Sequence, residues 1–274
     1  MPDAITIDFK TELKIGFPPP LLGDEPVRLS AAVAGDGLLA LALPGGFPSE
    51  AHPFFPKAHT VIAGLQAQLR AKKPELERLG MEVALSVNFL EPESSGLLLV
   101  AYTRAGVERW RNAFGSSQIE FTYELIVKAN AELADELVCD LPVARHKARH
   151  KSESRMLVSH KTGKKSHTVF RRGAVCGGYE RWTATTALPR LHQIRLHAME
   201  VGLCIPGETL YGEIPPLTWS VLKGPEARGD RGGIVERPLV HLARIRMVEG
   251  LTGLEPLECP PEGPLARIWA EFTD

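Results

Sequence analysis

Residues 179–212, YERWTATTALPRLHQIRLHAMEVGLCIPGETLYG, decide how the rest of the chain is read. The first third alternates polar and apolar residues, and β-branched Thr183, Thr185 and Thr186 support the two-residue period of a strand. Leu191, Ile194, Ala198 and Val201 then recur at three, four and three residues, the spacing of a helix. Gly202 stands where a helix end needs a residue free to take positive φ. Arg190, His192 and Arg195 therefore gather where a strand hands over to a helix N-terminus. The backbone N–H groups at such an end favour an anion, and two arginines beside it make a place to hold a phosphate or a carboxylate.

Outward from this stretch, the preceding segment is strongly basic. Residues 145–172 hold ten Lys or Arg against one Glu, a local +9 in a chain of net charge −1, which leaves −10 elsewhere. Such asymmetry reads as a polyanion footprint, nucleic acid being the commonest candidate, or else as a solvated basic hairpin. The four histidines and two hydroxyl-bearing turns within it favour the first reading. Two strands about a turn at Lys161-Thr162-Gly163-Lys164 are expected here. His146 and His150 stand four apart without an intervening Glu, which argues against a zinc site.

Nearer the N-terminus, residues 1–29 read as an extended arm turning at Pro18-Pro19-Pro20, with a single domain over 30–274. A short apolar strand ends at Leu43-Pro44-Gly45-Gly46, and residues 59–80 carry helical spacing broken near Pro74. Gly96–Ala101 has the continuous apolarity of a buried strand. Val107, Trp110 and Phe114 mark one face of a following helix. Ile119, Phe121, Tyr123, Leu125 and Val127 then share one face of a strand, so Tyr123 points inward with the apolar set. Residues 213–237 read as a loop, residues 239–248 as a strand, and the tail as a short amphipathic helix.

The totals bound the class. A chain of 274 residues, 44% hydrophobic, is long enough for an ample core without staples. Cys139, Cys176, Cys204 and Cys259 lie far apart, which speaks against a disulfide framework or zinc ribbon and fits a reduced, cytoplasmic setting. No run of about 18 apolar residues is present, so no membrane span is expected.

Against this background, LPRLHQIRLHA followed by GLCIPGETLYG resembles the pattern R-x-H-Q-I-R-x-H-x-x-x-x-G-x-P-I-x-G-D-x-x-Y-G of the RluA-like RNA pseudouridine synthases. Arg190, His192, Gln193, Arg195 and the closing Leu210-Tyr211-Gly212 fall in register, and the likeness extends over roughly residues 30–272. It implies an α+β fold: a mostly antiparallel central sheet with flanking helices, in two lobes about a central cleft. It also implies RNA as partner, rRNA or tRNA, uridine isomerised to pseudouridine, and neither metal nor organic cofactor. A monomer with no separate N-terminal RNA-binding module is expected.

The same resemblance locates the chemistry. The family's aspartate sits in H-R-L-D-x-x-T-S-G-L-L-L-V-A, where this chain reads Asn88-Phe89-Leu90-Glu91-Pro92-Glu93-Ser94-Ser95-Gly96-Leu97-Leu98-Leu99-Val100-Ala101. The apolar half matches; in the polar half Glu91 replaces the aspartate and keeps a carboxylate. Tyr123 matches the tyrosine that packs on the target base, and Arg195 the arginine that pairs with the carboxylate. Arg190, His192, Gln193, Lys161, Lys164, Lys165, Arg171 and Arg172 are the expected RNA contacts. Phe89, where the family has arginine, reads either as a wedge into a base stack or as a core residue. Two functions of different class follow: an isomerase working through Glu91, or an RNA-binding pseudoenzyme on the same scaffold.

Overall fold

The runs LLALAL and SGLLLVA have no polar face to offer solvent, and a strand of that kind is stable only when covered on both sides. They form adjacent strands in which every residue is buried. The computed structural model describes residues 5–6, 13–35, 37–52, 54, 57–146, 155–224, 235–247 and 256–272. In chain order the elements begin β1 (Ile5–Thr6), β2 (Leu13–Phe17), β3 (Val27–Gly35), β4 (Leu38–Leu43), α1 (Val61–Arg70), α2 (Pro74–Arg78), β5 (Leu85–Ser86), β6 (Ser95–Ala101), α3 (Arg104–Gly115) and β7 (Ile119–Lys128). They continue with β8 (Glu136–Cys139), β9 (Val143–Arg145), β10 (Met156–Val158), β11 (Thr168–Cys176), β12 (Tyr179–Thr186), α4 (Gln193–Glu200), α5 (Trp219–Lys223), β13 (Val240–Met247), β14 (Leu257–Glu258) and α6 (Pro264–Trp269). The architecture is α+β with a mostly antiparallel sheet. No described helix is long and apolar enough to cross a membrane.

The chain divides into two units, one of residues 1–121 with 243–259, the other of 122–242 with 260–274. In the first, β2, β3, β4 and β6 pair antiparallel in that order, with Leu38 opposite Ala101 and Leu43 opposite Gly96. Thr60 caps α1 by accepting from the Ala63 N–H at 3.2 Å, and the helix ends before Pro74 opens α2, as the sequence indicates. α3 starts on Thr103, whose hydroxyl accepts from the Gly106 N–H at 3.0 Å. Its buried stripe is Gly106, Trp110 and Ala113, not the expected Val107, Trp110 and Phe114. The reason is close approach: a Cβ on Gly106 would lie 2.5 Å from the Gly37 carbonyl oxygen, so the glycine itself faces inward.

In the second unit, β8, β11 and β12 pair antiparallel, and β12 buries alternate residues from Glu180 to Thr186 as expected of its threonine-rich alternation. Gly177 and Gly178, both at positive φ, make the two-residue turn between β11 and β12. The expected hairpin about Lys161–Lys164 is corrected. β10 pairs with β9, whereas β11 pairs with β8 and β12. β9 draws both flanks of the turn: Val143 pairs with Val158 and also bridges Lys164, so the flanks meet β9 instead of each other. Residues 147–154 of the basic run lie outside the described residues. So does 225–234 of the expected loop, whose earlier part holds the short helix α5 with Trp219 and Leu222 buried. Five residues are too few to show a helical period in sequence.

α4 closes on a Schellman motif, with the Leu203 N–H donating to the Ala198 carbonyl at 2.8 Å and the Gly202 N–H to that of Met199 at 3.1 Å. Gly202 has φ +85, the conformation its position calls for. Every residue of α4 from Gln193 to Ala198 is buried, so the helix carries its polar side chains into the interior. That places unusual weight on their partners.

Candidate active site

In the first unit the loop that carries Glu91 is held from three directions. Gly46, in the turn that ends β4, donates its N–H to the Pro92 carbonyl at 2.7 Å. The Ser49 hydroxyl donates to the Leu90 carbonyl at 3.1 Å and accepts from the Leu90 N–H at 2.9 Å. Asn88 reaches β6, donating to the Leu97 carbonyl at 3.0 Å and accepting from the Leu99 N–H at 2.8 Å. Asn88 thus braces the loop on the strand behind it. Glu91 is 8% exposed, and the Ser94 hydroxyl donates to its Oε1 at 3.4 Å across a turn closed by the Ser94 N–H on the Glu91 carbonyl. Phe89 is half-buried, with its ring 5.8 Å from that of His52.

In the second unit Arg195 and Glu208 form a bidentate pair, Nε to Oε2 at 2.6 Å and Nη2 to Oε1 at 2.9 Å, with side chains 2% and 0% exposed. Burial alone would push the Glu208 carboxyl up, but the Arg195 hydrogen bonds and charge, with the Leu210 and Tyr211 N–H groups, outweigh it and hold it below the usual range. The Tyr211 ring lies under the Arg195 guanidinium at 5.6 Å. Its hydroxyl accepts from the Met156 N–H at 3.1 Å and hydrogen-bonds with His192 Nδ1 at 2.8 Å. His192 is buried and left-handed at φ 55 as it opens α4. One cluster therefore ties Arg195, the 207–212 loop, the α4 N-terminus and β10 together.

Gln193 spends its amide inside the fold. Its Nε2 donates to the His167 carbonyl and to the hydroxyls of Thr168 and Thr186, its Oε1 accepts from the Arg190 N–H, and the residue is 0% exposed. Thr168 then faces His197 Nδ1 at 2.9 Å while His197 Nε2 donates to the Leu141 carbonyl at 2.9 Å, the pattern of a neutral ring. Burial pushes the His197 pKa down.

Arg172 is engaged within the fold as well. Its guanidinium engages Glu180, Asp135 and the carbonyls of Asn130 and Leu133, and stacks on Trp182. It is a buttress for β11 and β12. Lys161, Lys164 and Lys165 are exposed on the turn, and Arg171 is exposed in a surface pair with Glu136 at 2.8 Å. Arg190 donates Nε to the Lys165 carbonyl at 3.1 Å, and burial lowers its pKa. Tyr123 is inward on β7 and 5% exposed. The predicted site residues are thus distributed, Glu91 in the first unit and Tyr123 and Arg195 in the second.

Glu208 went unremarked in the sequence, although it stands within the quoted pattern at its aspartate. An acidic residue directly after Gly207 and three residues before Tyr211-Gly212 was the available signal. Among the described residues no group of His, Cys, Asp or Glu is arranged to hold a metal ion.

A mostly antiparallel α+β fold, a carboxylate on a braced loop and a buried arginine beneath a helix N-terminus now stand beside the sequence patterns. The chain belongs to the RNA pseudouridylate synthase family, whose model matches residues 44–200, and it is of the RluA-like type. It is 24% identical over 241 residues to an uncharacterized RNA pseudouridine synthase of Chlorobaculum parvum, a match covering 88% of this chain and 72% of that protein. Ribosomal large subunit pseudouridine synthase D of Yersinia pestis is 25% identical over 175 residues, covering 62% of this chain and 49% of that protein. A chloroplastic RNA pseudouridine synthase 2 of Arabidopsis thaliana is 25% identical over 195 residues, and the chain spans 45% of its length. Among solved structures, human RNA pseudouridylate synthase domain containing 4 shares the fold at TM-score 0.59 and 15% identity, covering 83% of this chain and 86% of that one. Domain containing 1 does so at TM-score 0.56 and 18% identity, covering 85% and 83%.

Proposed function

We propose that this chain binds rRNA or tRNA in the cytoplasm as a monomer and isomerises a uridine to pseudouridine, with Glu91 in the role of the family aspartate. The N-glycosidic bond is cut, the base turns over, and it is rejoined through carbon, after the nucleotide has been flipped out of its stack. Glu91 supplies the carboxylate that acts on sugar or base, Tyr123 packs against the uracil, and Arg195 keeps the carboxylate ionised. Lys161, Lys164, Lys165, Arg171 and Arg190 contact phosphates, with His192 beside them. No metal or organic cofactor takes part. The observation that carries this reading is a buried carboxylate, at the motif's acidic position, on a loop fixed by Gly46, Ser49 and Asn88.

The same bracing favours a second reading, an RNA-binding protein without isomerase activity. A glutamate places its carboxylate on the order of 1 Å farther out than an aspartate, and such a displacement can cost about 100-fold in rate. A loop held by Gly46, Ser49 and Asn88 has little freedom to retreat. Incubating the protein with total cellular RNA and mapping new pseudouridines separates the readings. Slow, site-specific formation that disappears in Glu91→Gln supports the isomerase. Salt-sensitive RNA binding with no pseudouridine, and its appearance in Glu91→Asp, supports the second reading.

A further inference from the structure

Residues 159–165, SHKTGKK, put three lysines into one turn, and the fold fixes the backbone beneath them. The Ser159 N–H donates to the Pro142 carbonyl at 3.0 Å and the Gly163 N–H to that of Ser159 at 2.8 Å. Lys164 exchanges two backbone bonds with Val143, at 2.9 and 3.0 Å, and Ser159 Oγ accepts from the Thr162 N–H at 3.2 Å. Glycine is required at 163, because a Cβ there would lie 2.7 Å from the Pro142 carbonyl oxygen and closer still to that of Ser159. Lys161, Lys164 and Lys165 are exposed on this frame.

A fourth cation joins them from the segment that leads into α4. Arg190 Nε donates to the Lys165 carbonyl at 3.1 Å, which sets the guanidinium beside the last lysine of the turn. The backbone of Arg190 is closed on Gln193 twice. The Gln193 N–H donates to the Arg190 carbonyl at 3.0 Å, and the Arg190 N–H donates to Gln193 Oε1 at 3.0 Å. The other end of the same amide, Nε2, donates to the His167 carbonyl at 3.1 Å and the Thr168 hydroxyl at 3.0 Å. One buried amide thus fastens residue 190 and the stretch just after Lys165 to a common point, wholly within the second unit.

Among the described residues no carboxylate pairs with Lys161, Lys164, Lys165 or Arg190, whereas Arg171 and Arg172 of β11 are matched to Glu136 and Glu180. Asp140 engages the His167 ring. Burial lowers the Arg190 pKa, as it does for a guanidinium partly withdrawn from water. A fixed group of cations without acids suits an anion with several oxygens, and holding the cations in place beforehand reduces the ordering cost of binding.

We propose that Gln193 is a positioning residue for RNA binding: it locks Arg190 onto the Lys161–Lys165 turn, so that guanidinium and lysines engage phosphates as one preformed grip. The inference rests on the RNA-binding reading and adds to it how the cations are held. Gln193, 0% exposed, acts through Arg190 and not by contact with the ligand.

The test titrates the full chain against a short RNA stem-loop by fluorescence anisotropy over a series of salt concentrations, with thermal melting of each variant. Gln193→Met keeps the net charge and nearly the size of the side chain and removes the amide. Arg190→Met removes the guanidinium and keeps the backbone N–H. Each reduces the salt slope by about 1, the value for one phosphate contact. The double variant reduces it no further, because Gln193 works through Arg190. Arg190→Lys retains the charge but loses the Nε anchor on the Lys165 carbonyl, and it binds roughly tenfold more weakly, the equivalent of one hydrogen bond to a charged group. Wild-type affinity and slope in a folded Gln193→Met overturn the proposal. So does any loss of affinity in that variant with an unchanged slope, the sign of a purely structural amide. Where Gln193→Met does not fold, Arg190→Lys decides: binding equal to wild type overturns the proposal, and the weaker binding supports it. Absence of RNA binding by the wild type removes the functional reading and the grip with it, whereas failure of the proposal alone leaves wild-type binding and its salt dependence intact.

Discussion

Replacing Glu208 by leucine tests the reasoning about α4 most directly. The carboxylate accepts from Arg195 Nε and Nη2 at 2.6 and 2.9 Å and from the N–H groups of Leu210 and Tyr211 at 2.8 and 3.2 Å. Removing it takes from the Arg195 guanidinium, at 2% exposure, the carboxylate that accepts from Nε and Nη2. Taking one partner from a buried ion pair costs about 3–5 kcal/mol. Leu210 and Tyr211 are half-buried, so water takes over much of their lost hydrogen bonding and adds little to that figure. At about 2–4 °C per kcal/mol for a chain of this size class, the melting temperature falls by roughly 6–20 °C. The double variant Arg195→Met/Glu208→Leu recovers part of the loss, because both charges of the bidentate pair leave together.

Urea denaturation of the four proteins gives the coupling energy, and hydrogen exchange over α4 shows where it resides. The pair also has an acid signature. The folded carboxyl titrates below its ordinary range, so its stabilisation is complete above about pH 4.5 and drains away as pH falls through the folded value. Glu208→Leu lacks that part of the acid limb. Stability of Glu208→Leu within about 1 kcal/mol of wild type, or strictly additive losses in the double variant, would refute the assignment of Glu208 as the charge that holds Arg195.

Other expectations are narrower. His197 is buried neutral with its pKa pushed down, so the unfolded chain takes up a proton first as pH falls below about 6.5 and the folded state is progressively destabilised; urea midpoints at pH values either side of that point show a smaller acid shift in His197→Gln, and equal shifts reject it. Gly106→Ala sets a Cβ 2.5 Å from the Gly37 carbonyl oxygen and costs about 1–3 kcal/mol, whereas Gly115→Ala meets nothing within 4 Å and gains about 0.4–1 kcal/mol in the same melting assay. Ser49→Ala strips the Leu90 N–H of its acceptor and costs about 1–3 kcal/mol, with faster amide exchange at Leu90 as the local readout.

Much of the fold was legible because local periods and tertiary placement agree. The alternation through Thr183–Thr186, the continuous apolarity of Gly96–Ala101 and the glycine after α4 each encode a local conformation that burial then rewards. The pairing of β9 with β10 was not legible, because two strands of three residues carry no period, and the turn between β10 and β11 looked sufficient to pair them. The internal partners of Arg172 and Gln193 were not legible for a related reason. Composition counts a guanidinium or an amide as available, and only three-dimensional neighbours reveal that Glu180, Asp135, Thr168 and Thr186 use it up. Glu208 shows the converse: it stood inside the recognised pattern but was overshadowed by Glu91, since the sequence offers two carboxylates for one arginine and no distance to either.

The departure from the family pattern at Asn88 has a structural consequence that bears on catalysis. Its amide both donates to and accepts from the backbone of β6, a strand whose every residue is buried. Ser49 clamps Leu90 by the same two-way use of one side chain. The backbone on either side of Phe89 is therefore tied to buried β6 and to the loop that follows β4. An added methylene at position 91 has to be taken up by the side chain, in its rotamers and in its hydrogen bond from Ser94, and not by the loop. Glu91→Asp consequently changes the reach of the carboxylate while leaving the frame in place. Its effect on pseudouridine formation reports reach alone, which makes it a sharper probe than any substitution that also removes the charge.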